Sequence, residues 1–169
     1  MTPSLYNPSF PMMRRKRQLL PEEETIALLN RGTSGVLAVM DGEYPYAVPV
    51  NYAYTDGKII FHGAKKGKKI EALKNNPKVS FCVIDQDRIV PEEYTSYFRS
   101  AIAFGTVRIL SDENEKREAL DILAEKFQPG FEEERKAAIE REFAAVAVFV
   151  LDIEHLTGKE ARELLKNEE

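Results

Sequence analysis

The chain has 169 residues, with 24 lysines and arginines against 28 aspartates and glutamates, giving a formal net charge of -4. That length suits one domain with a sizeable core. The acidic balance disfavours nucleic acid or an anionic membrane as a partner of the whole molecule, so any basic site must be local.

A single cysteine, Cys82, excludes an internal disulfide, and with only two histidines, His62 and His155, far apart in sequence, no metal site is expected. Cys82 lies in the apolar run Val79–Ile84, where a buried, inert thiol is expected and a reducing cytoplasm fits. No apolar run approaches the ~18 residues that span a bilayer. The apolar residues of the N-terminus precede the basic cluster Arg14-Arg15-Lys16-Arg17, the reverse of a signal peptide, so a soluble protein is expected.

In chain order, residues 1–12 carry Pro3, Pro8 and Pro11 and read as a flexible or draped tail, with the fold proper starting near Met13. Pro21–Asn30 reads as a helix, with proline and acids in its first turn, Gly32 past its end, and Ile26, Leu28 and Leu29 as its buried face. Strands follow at Gly35–Met40, Tyr46–Tyr54 and Lys58–His62, joined by the Asp-Gly turns Asp41-Gly42 and Asp56-Gly57. Pro49 cannot donate to a ladder, so its strand is expected at an edge or at a bulge.

Gly67–Asn75 reads as a short helix and Lys78–Asp85 as a strand, followed by a polar loop over Gln86–Glu93. Tyr94–Leu110 is a long strand with a bend expected at Gly105. Asp112–Phe127 and Phe131–Glu142 are expected as helices, Ala144–Ile153 as a strand, and residues 157–169 as a loose helical tail after a domain spanning 13–156. Six strands joined by tight turns predict a mainly β fold, a closed or split antiparallel barrel with peripheral helices, rather than a doubly wound sheet.

Function is most legible between Pro45 and Pro77. There Phe61-His62-Gly63-Ala64 is followed at once by Lys65, Lys66, Gly67, Lys68 and Lys69. A lysine cluster is ordinarily a solvated surface, but lysines at a helix N-terminus oppose the macrodipole. A bound phosphate offsets that repulsion and uses the same helix-end N–H groups.

The order Met13-Arg14-Arg15-Lys16, Pro45–Tyr52, Phe61–Ala64 with Gly67-Lys68-Lys69, Asn75–Val79 and Tyr97–Gly105 resembles the flavin-binding split barrels related to pyridoxamine 5′-phosphate oxidase, of the nitroimidazole-resistance type. The resemblance implies an FMN-binding split barrel, with the flavin at the interface of a homodimer. It implies that the backbone of Val48, Pro49, Val50, Asn51 and Tyr52 lies near the isoalloxazine ring. Gly67, Lys68 and Lys69 would hold the phosphate, and His62, Gly63 and Ala64 would line the same cleft. Tyr97, Arg99 and Ser100 would reach it from the partner subunit. His62 would stand on the substrate side as the candidate catalytic residue. The implied activity is reduction of a small organic acceptor, such as a nitroaromatic, with electrons from a reduced nicotinamide, NAD(P)H. Two alternatives remain open: a flavin- or haem-binding protein without turnover, and a deazaflavin-dependent reductase. For the Arg14–Arg17 cluster, a salt-bridge or interface role is expected rather than nucleic-acid binding.

Overall fold

The computed structural model describes residues 4–165. A 3-10 turn at Lys16–Gln18 leads into β1 (Leu19–Leu20) and α1 (Glu22–Arg31), whose buried face is Thr25, Leu28 and Leu29. Next come β2 (Ser34–Asp41), β3 (Tyr44–Asn51), β4 (Ala53–Thr55) and β5 (Lys58–Ala64). After α2 (Lys68–Asn75), β6 (Lys78–Val90) and β7 (Thr95–Ile109) form a long hairpin. Two helices, α3 (Glu113–Phe127) and α4 (Glu132–Glu142), precede β8 (Val146–Glu160) and the short α5 (Arg162–Leu165).

The strands form one antiparallel sheet in the order β3-β2-β6-β7-β8-β5-β4, with β1 added to β8. Its two ends, β3 and β4, are consecutive in the chain and separated only by Tyr52. The sheet therefore curls until its ends are joined by the chain rather than by a ladder, which is a split barrel. Pro45 and Pro49 both lie on β3, an end strand, where a missing donor costs no ladder bond on the open side.

Alternation along β5 and β8 divides the apolar side chains between two cores. Phe61, Phe149 and Leu151 point inward to Leu37, Phe81 and Val83, with Tyr52, Leu28 and Leu29 at one end. Phe61 and Phe149 stack at 5.0 Å, and Tyr52 meets Phe81 edge-on at 5.1 Å. Ile60, Val148 and Val150 point outward and pack under Ala119, Leu120 and Leu123 of α3.

Several expectations change. The strand read as Tyr46–Tyr54 breaks at Tyr52, because that ring turns into the core and its hydroxyl donates to the Leu29 carbonyl at 2.8 Å. Together with β1, this raises six strands to eight. The polar stretch Gln86–Glu93 is not a loop as far as Val90: β6 continues through it on its pairing with β7, after a register shift between Ile84 and Gln86. The bend expected at Gly105 is present as a shift between Phe104 and Gly105. β8 runs to Glu160, because β7 pairs along Thr157–Glu160 and β1 pairs with Gly158 and Lys159 on the other side, so the helix of the C-terminal tail begins only at Arg162. Residues 166–169 of that expected tail lie outside the described residues.

Residues 4–12 form no strand and drape over the barrel, the second of the two forms expected for this tail. The Leu156 N–H donates to the Leu5 carbonyl at 2.9 Å and the Leu5 N–H donates to Glu22 at 2.7 Å. Ile26 is only partly buried, its place in the core taken by Thr25. Cys82 is likewise only half-buried, because Val79, Phe81 and Val83 take the inward face of β6; what burial it has pushes the thiol pKa up, away from reactivity. No helix among the described residues is long and apolar enough to cross a membrane.

Candidate functional site

The end of β5 and the start of α2 bring the lysine cluster to the mouth of the barrel. Gly67 caps α2 with φ 125° and ψ 176°, a conformation open essentially to glycine alone, and its carbonyl accepts from the N–H of Ile70 at 3.0 Å. This turn aims Lys68 and Lys69 in different directions.

Lys69 folds back across Gly63, where an added Cβ would come within 2.7 Å of Nζ. Its ammonium rests 5.7 Å from the centre of the Phe61 ring and 5.1 Å from that of Phe149. Among the described residues no carboxylate pairs with it. Burial lowers its pKa, the mark of a charge that lacks compensation. Lys68 instead pairs with Asp41 at 2.9 Å and lies over the Tyr46 ring, and that hydrogen bond raises its pKa. Tyr46, Val48, Ala64, Lys66, Lys68 and Lys69 line a cavity of about 200 Å³.

A larger, mostly apolar cavity of about 480 Å³ is lined in part by the same two strands, β3 and β5. Asn51 and His62 line it from the strands, and Leu123, Phe127, Ile139 and Glu142 line it from α3 and α4. The Asn51 amide donates through Nδ2 to the Thr33 carbonyl at 2.9 Å. Its Oδ1 has no hydrogen-bond partner among the described residues. His62 is open to the cavity, yet its apolar surroundings, and secondarily the Lys69 charge, hold its pKa below the ordinary histidine value. Near neutral pH the imidazole is therefore uncharged, with one donor and one acceptor nitrogen.

The helical roof is pinned at two points. Lys116 Nζ donates to the Phe143 carbonyl at 2.6 Å, closing α3 on the end of α4. Lys126 Nζ donates to the Gly32 carbonyl over the Tyr52 ring, a half-buried position that lowers its pKa by desolvation.

The expected site residues thus fall into three groups. Val48, Pro49, Val50, Asn51, His62, Gly63, Ala64, Gly67, Lys68 and Lys69 converge on the adjoining cavities or the strand segments beside them. Tyr52 follows β3 but sends its side chain into the core. Tyr97, Arg99 and Ser100 are not brought to the cleft. Arg99 pairs in register with Glu160 and bonds its side chain at 2.8 Å, whereas His62 pairs with Val148 twelve positions back along β8. The Tyr97 hydroxyl donates to Glu93.

Sequence reasoning missed the roof. Its signal was the spacing of Leu120, Leu123 and Phe127 on α3, and the apolar Ala137-Ala138-Ile139 inside the otherwise charged α4.

The family model described as pyridoxamine 5′-phosphate oxidase matches residues 21–160, a span that includes the lysine turn, both cavities and all of β8. The chain belongs to the pyridoxamine 5′-phosphate oxidase family. Among solved structures, this family member is similar to a protein from Bacteroides thetaiotaomicron named for 5-nitroimidazole antibiotic resistance. The two are 25% identical with a TM-score of 0.70, over 84% of this chain and 86% of that one. It is also similar to an FAD-binding protein from Mesorhizobium loti, at 25% identity and a TM-score of 0.64, over 85% and 97% of the two chains. A flavocytochrome from Azotobacter vinelandii shares the fold at 21% identity, with a TM-score of 0.79 over 92% and 74%. A comparison with curated protein sequences found no match.

Proposed function

We propose that this member of the pyridoxamine 5′-phosphate oxidase family binds FMN in the cleft between β3 and β5. In this reading it reduces a small organic acceptor, of the nitroaromatic class, with electrons from a reduced nicotinamide. The observation that carries the reading is Lys69: a half-buried ammonium with no carboxylate partner among the described residues, in a small cavity beside a larger apolar one. A phosphate supplies the charge that this position lacks. The similarity to an FAD-binding protein and to one named for nitroimidazole resistance points the same way.

The residues present fit the cofactor. Lys69 would hold the phosphate with the first N–H groups of α2, while Lys68 stays with Asp41 and steadies the turn. The backbone of Val48–Asn51 would face the ring, and Asn51 Oδ1, its amide nitrogen already committed, would accept from a ring N–H. Bound there, the flavin supplies the hydride and electron transfer. Uncharged His62 would orient the acceptor without adding a cation beside it, and the roof of α3 and α4 would keep water out. Tyr97, Arg99 and Ser100 lie on β7, where Arg99 and Ser100 pair with the far end of β8, so a site that includes them needs a second copy of the chain. The exposed Ile84, Ile89 and Tyr94 of the β6–β7 hairpin suit such an interface.

The test is to purify the protein, record its absorption spectrum before and after adding FMN, and follow anaerobic reduction of a nitroimidazole by NADPH. Flavin bands and nitro-group reduction are expected. Failure to bind added FMN overturns the reading, and a haem Soret band in its place would favour the cofactor of a flavocytochrome.

A further inference from the structure

The helical roof and the end of β3 meet at one turn, Gly32–Thr33, just past the end of α1. The Gly32 N–H donates to the Leu28 carbonyl at 3.0 Å, the Tyr52 hydroxyl donates to the Leu29 carbonyl at 2.8 Å, and Lys126 of α3 donates to the Gly32 carbonyl. The Thr33 carbonyl accepts twice, from Asn51 Nδ2 at 2.9 Å and from the Tyr52 N–H at 3.3 Å.

The end of a helix explains why a lysine stands here. Carbonyls at a helix C-terminus lack helical partners and carry the negative end of the dipole, which favours an ammonium. The turn is also tightly packed: a Cβ on Gly32 would run into the Tyr52 hydroxyl and stand 3.0 Å from Val83. Backbone packed this closely passes a displacement on to its neighbours.

Lys126 thus bears on Asn51 from two sides. Through Gly32 it holds the peptide next to the Thr33 carbonyl, and its Nζ lies 4.4 Å from the centre of the ring of Tyr52, the residue after Asn51. The neighbouring Phe127 lines the roofed cavity together with Asn51. A side-chain amide is planar, so fixing Asn51 Nδ2 also fixes where its unpartnered Oδ1 points.

We propose that Lys126 is a positioning residue of the flavin site: by tying the Gly32–Thr33 turn to the roof, it holds the Asn51 amide with Oδ1 directed at the cofactor ring. The cofactor in this statement rests on the function proposed above; the placement of the Asn51 amide does not.

The experiment has two arms, both on the full chain. The first needs no cofactor: nitrogen-15 NMR spectra of the apoprotein follow the Asn51 side-chain NH2 signals, assigned by their loss in Asn51→Ala. Lys126→Met keeps an apolar stem over Tyr52 and loses the donor, and it should shift or broaden those signals. Lys126→Arg, which restores a cationic donor, should return them toward their native positions, and Lys69→Ala should leave them in place. Circular dichroism verifies folding; Lys126→Gln, uncharged and one bond shorter, repeats the test should the methionine variant not fold.

The second arm is a double-mutant cycle on FMN affinity. Lys126→Met and Asn51→Ala should each weaken FMN by about threefold to tenfold, the range of one hydrogen bond, and the double variant should bind no worse than Asn51→Ala alone. Asn51 signals unmoved by loss of the lysine, or no recovery in Lys126→Arg, overturn the proposal. Additive losses overturn it too, since they describe a lysine that only stabilises the roof. A protein that binds no FMN overturns the flavin reading instead, and the first arm then decides whether Lys126 places Asn51.

Discussion

His155 Nδ1 accepts a 3.0 Å hydrogen bond from the backbone N–H of Asn7, far away in the chain. Phe10 stacks on the same imidazole at 4.4 Å, Tyr6 packs against it at 5.3 Å, and its burial lowers the pKa below the ordinary 6.5. An acceptor at Nδ1 has to be unprotonated there, so the N-terminal strap is held by neutral histidine.

A base whose pKa is lower when folded binds more protons unfolded, so stability rises with pH and falls as pH drops. The loss begins below about 6.5, the unfolded value, and levels off once pH has passed the lower folded value. Melting temperature measured from pH 8 down to 5 should show this fall. It should be smaller in His155→Phe, which keeps the stacking and has nothing to titrate. Proteolysis of residues 4–12 should quicken over the same window.

Lys69 and Lys68 should separate in a flavin titration. Lys69→Ala should weaken FMN by about tenfold or more, the loss of one charge-assisted bond. It should leave the apoprotein as stable or more so, because a half-buried charge is removed. Lys68→Ala should have the smaller effect on FMN. Fluorescence titration paired with thermal melting of the apoprotein checks both halves, and equal losses would point to a diffuse field instead.

The Arg99–Glu160 pair should respond asymmetrically. The Glu160 side chain is 4% exposed and that of Arg99 is 20% exposed. Arg99→Ala strands a buried carboxylate and should cost about 3 kcal/mol or more. Glu160→Ala leaves a guanidinium that can still reach water and should cost less. Urea unfolding of the two variants measures the difference.

Gly67→Ala should destabilise the protein by about 1–3 kcal/mol, the cost of a side chain in a backbone region that glycine alone occupies freely. Nothing lies within 4 Å of the added Cβ, so the loss is one of backbone conformation, with no clash contributing. Denaturant midpoints of the two proteins give its size, and FMN affinity should fall with it, since the turn aims Lys69.

Turn chemistry and strand periodicity made much of this fold readable. The two Asp-Gly pairs placed the opening hairpins, and Pro49 placed β3 at an end of the sheet, because each restricts the backbone locally. Thr157–Glu160 and Gln86–Val90 were misjudged because no local signal makes them strands; neighbouring strands do, and pairing is a tertiary effect. At the site, the lysine turn was visible as composition beside a glycine. The difference between Lys68 and Lys69 was not, since it depends on Asp41 and Phe149, which meet the turn only in the folded chain. The roof was hidden for the same reason: Leu123 and Ile139 look like ordinary helix packing until the helices close over His62.

The outward core beneath α3 shares strands, but no side chains, with the interior of the barrel. The roofed cavity is therefore built on a separate foundation from the one that keeps the barrel folded. Exchanges at Phe127, Ala138 or Ile139 reshape the chamber while the stacked Phe61 and Phe149 stay undisturbed. One scaffold can thus vary the shape of this chamber by repacking a helical hairpin, with the lysine turn and the barrel beneath it left unchanged.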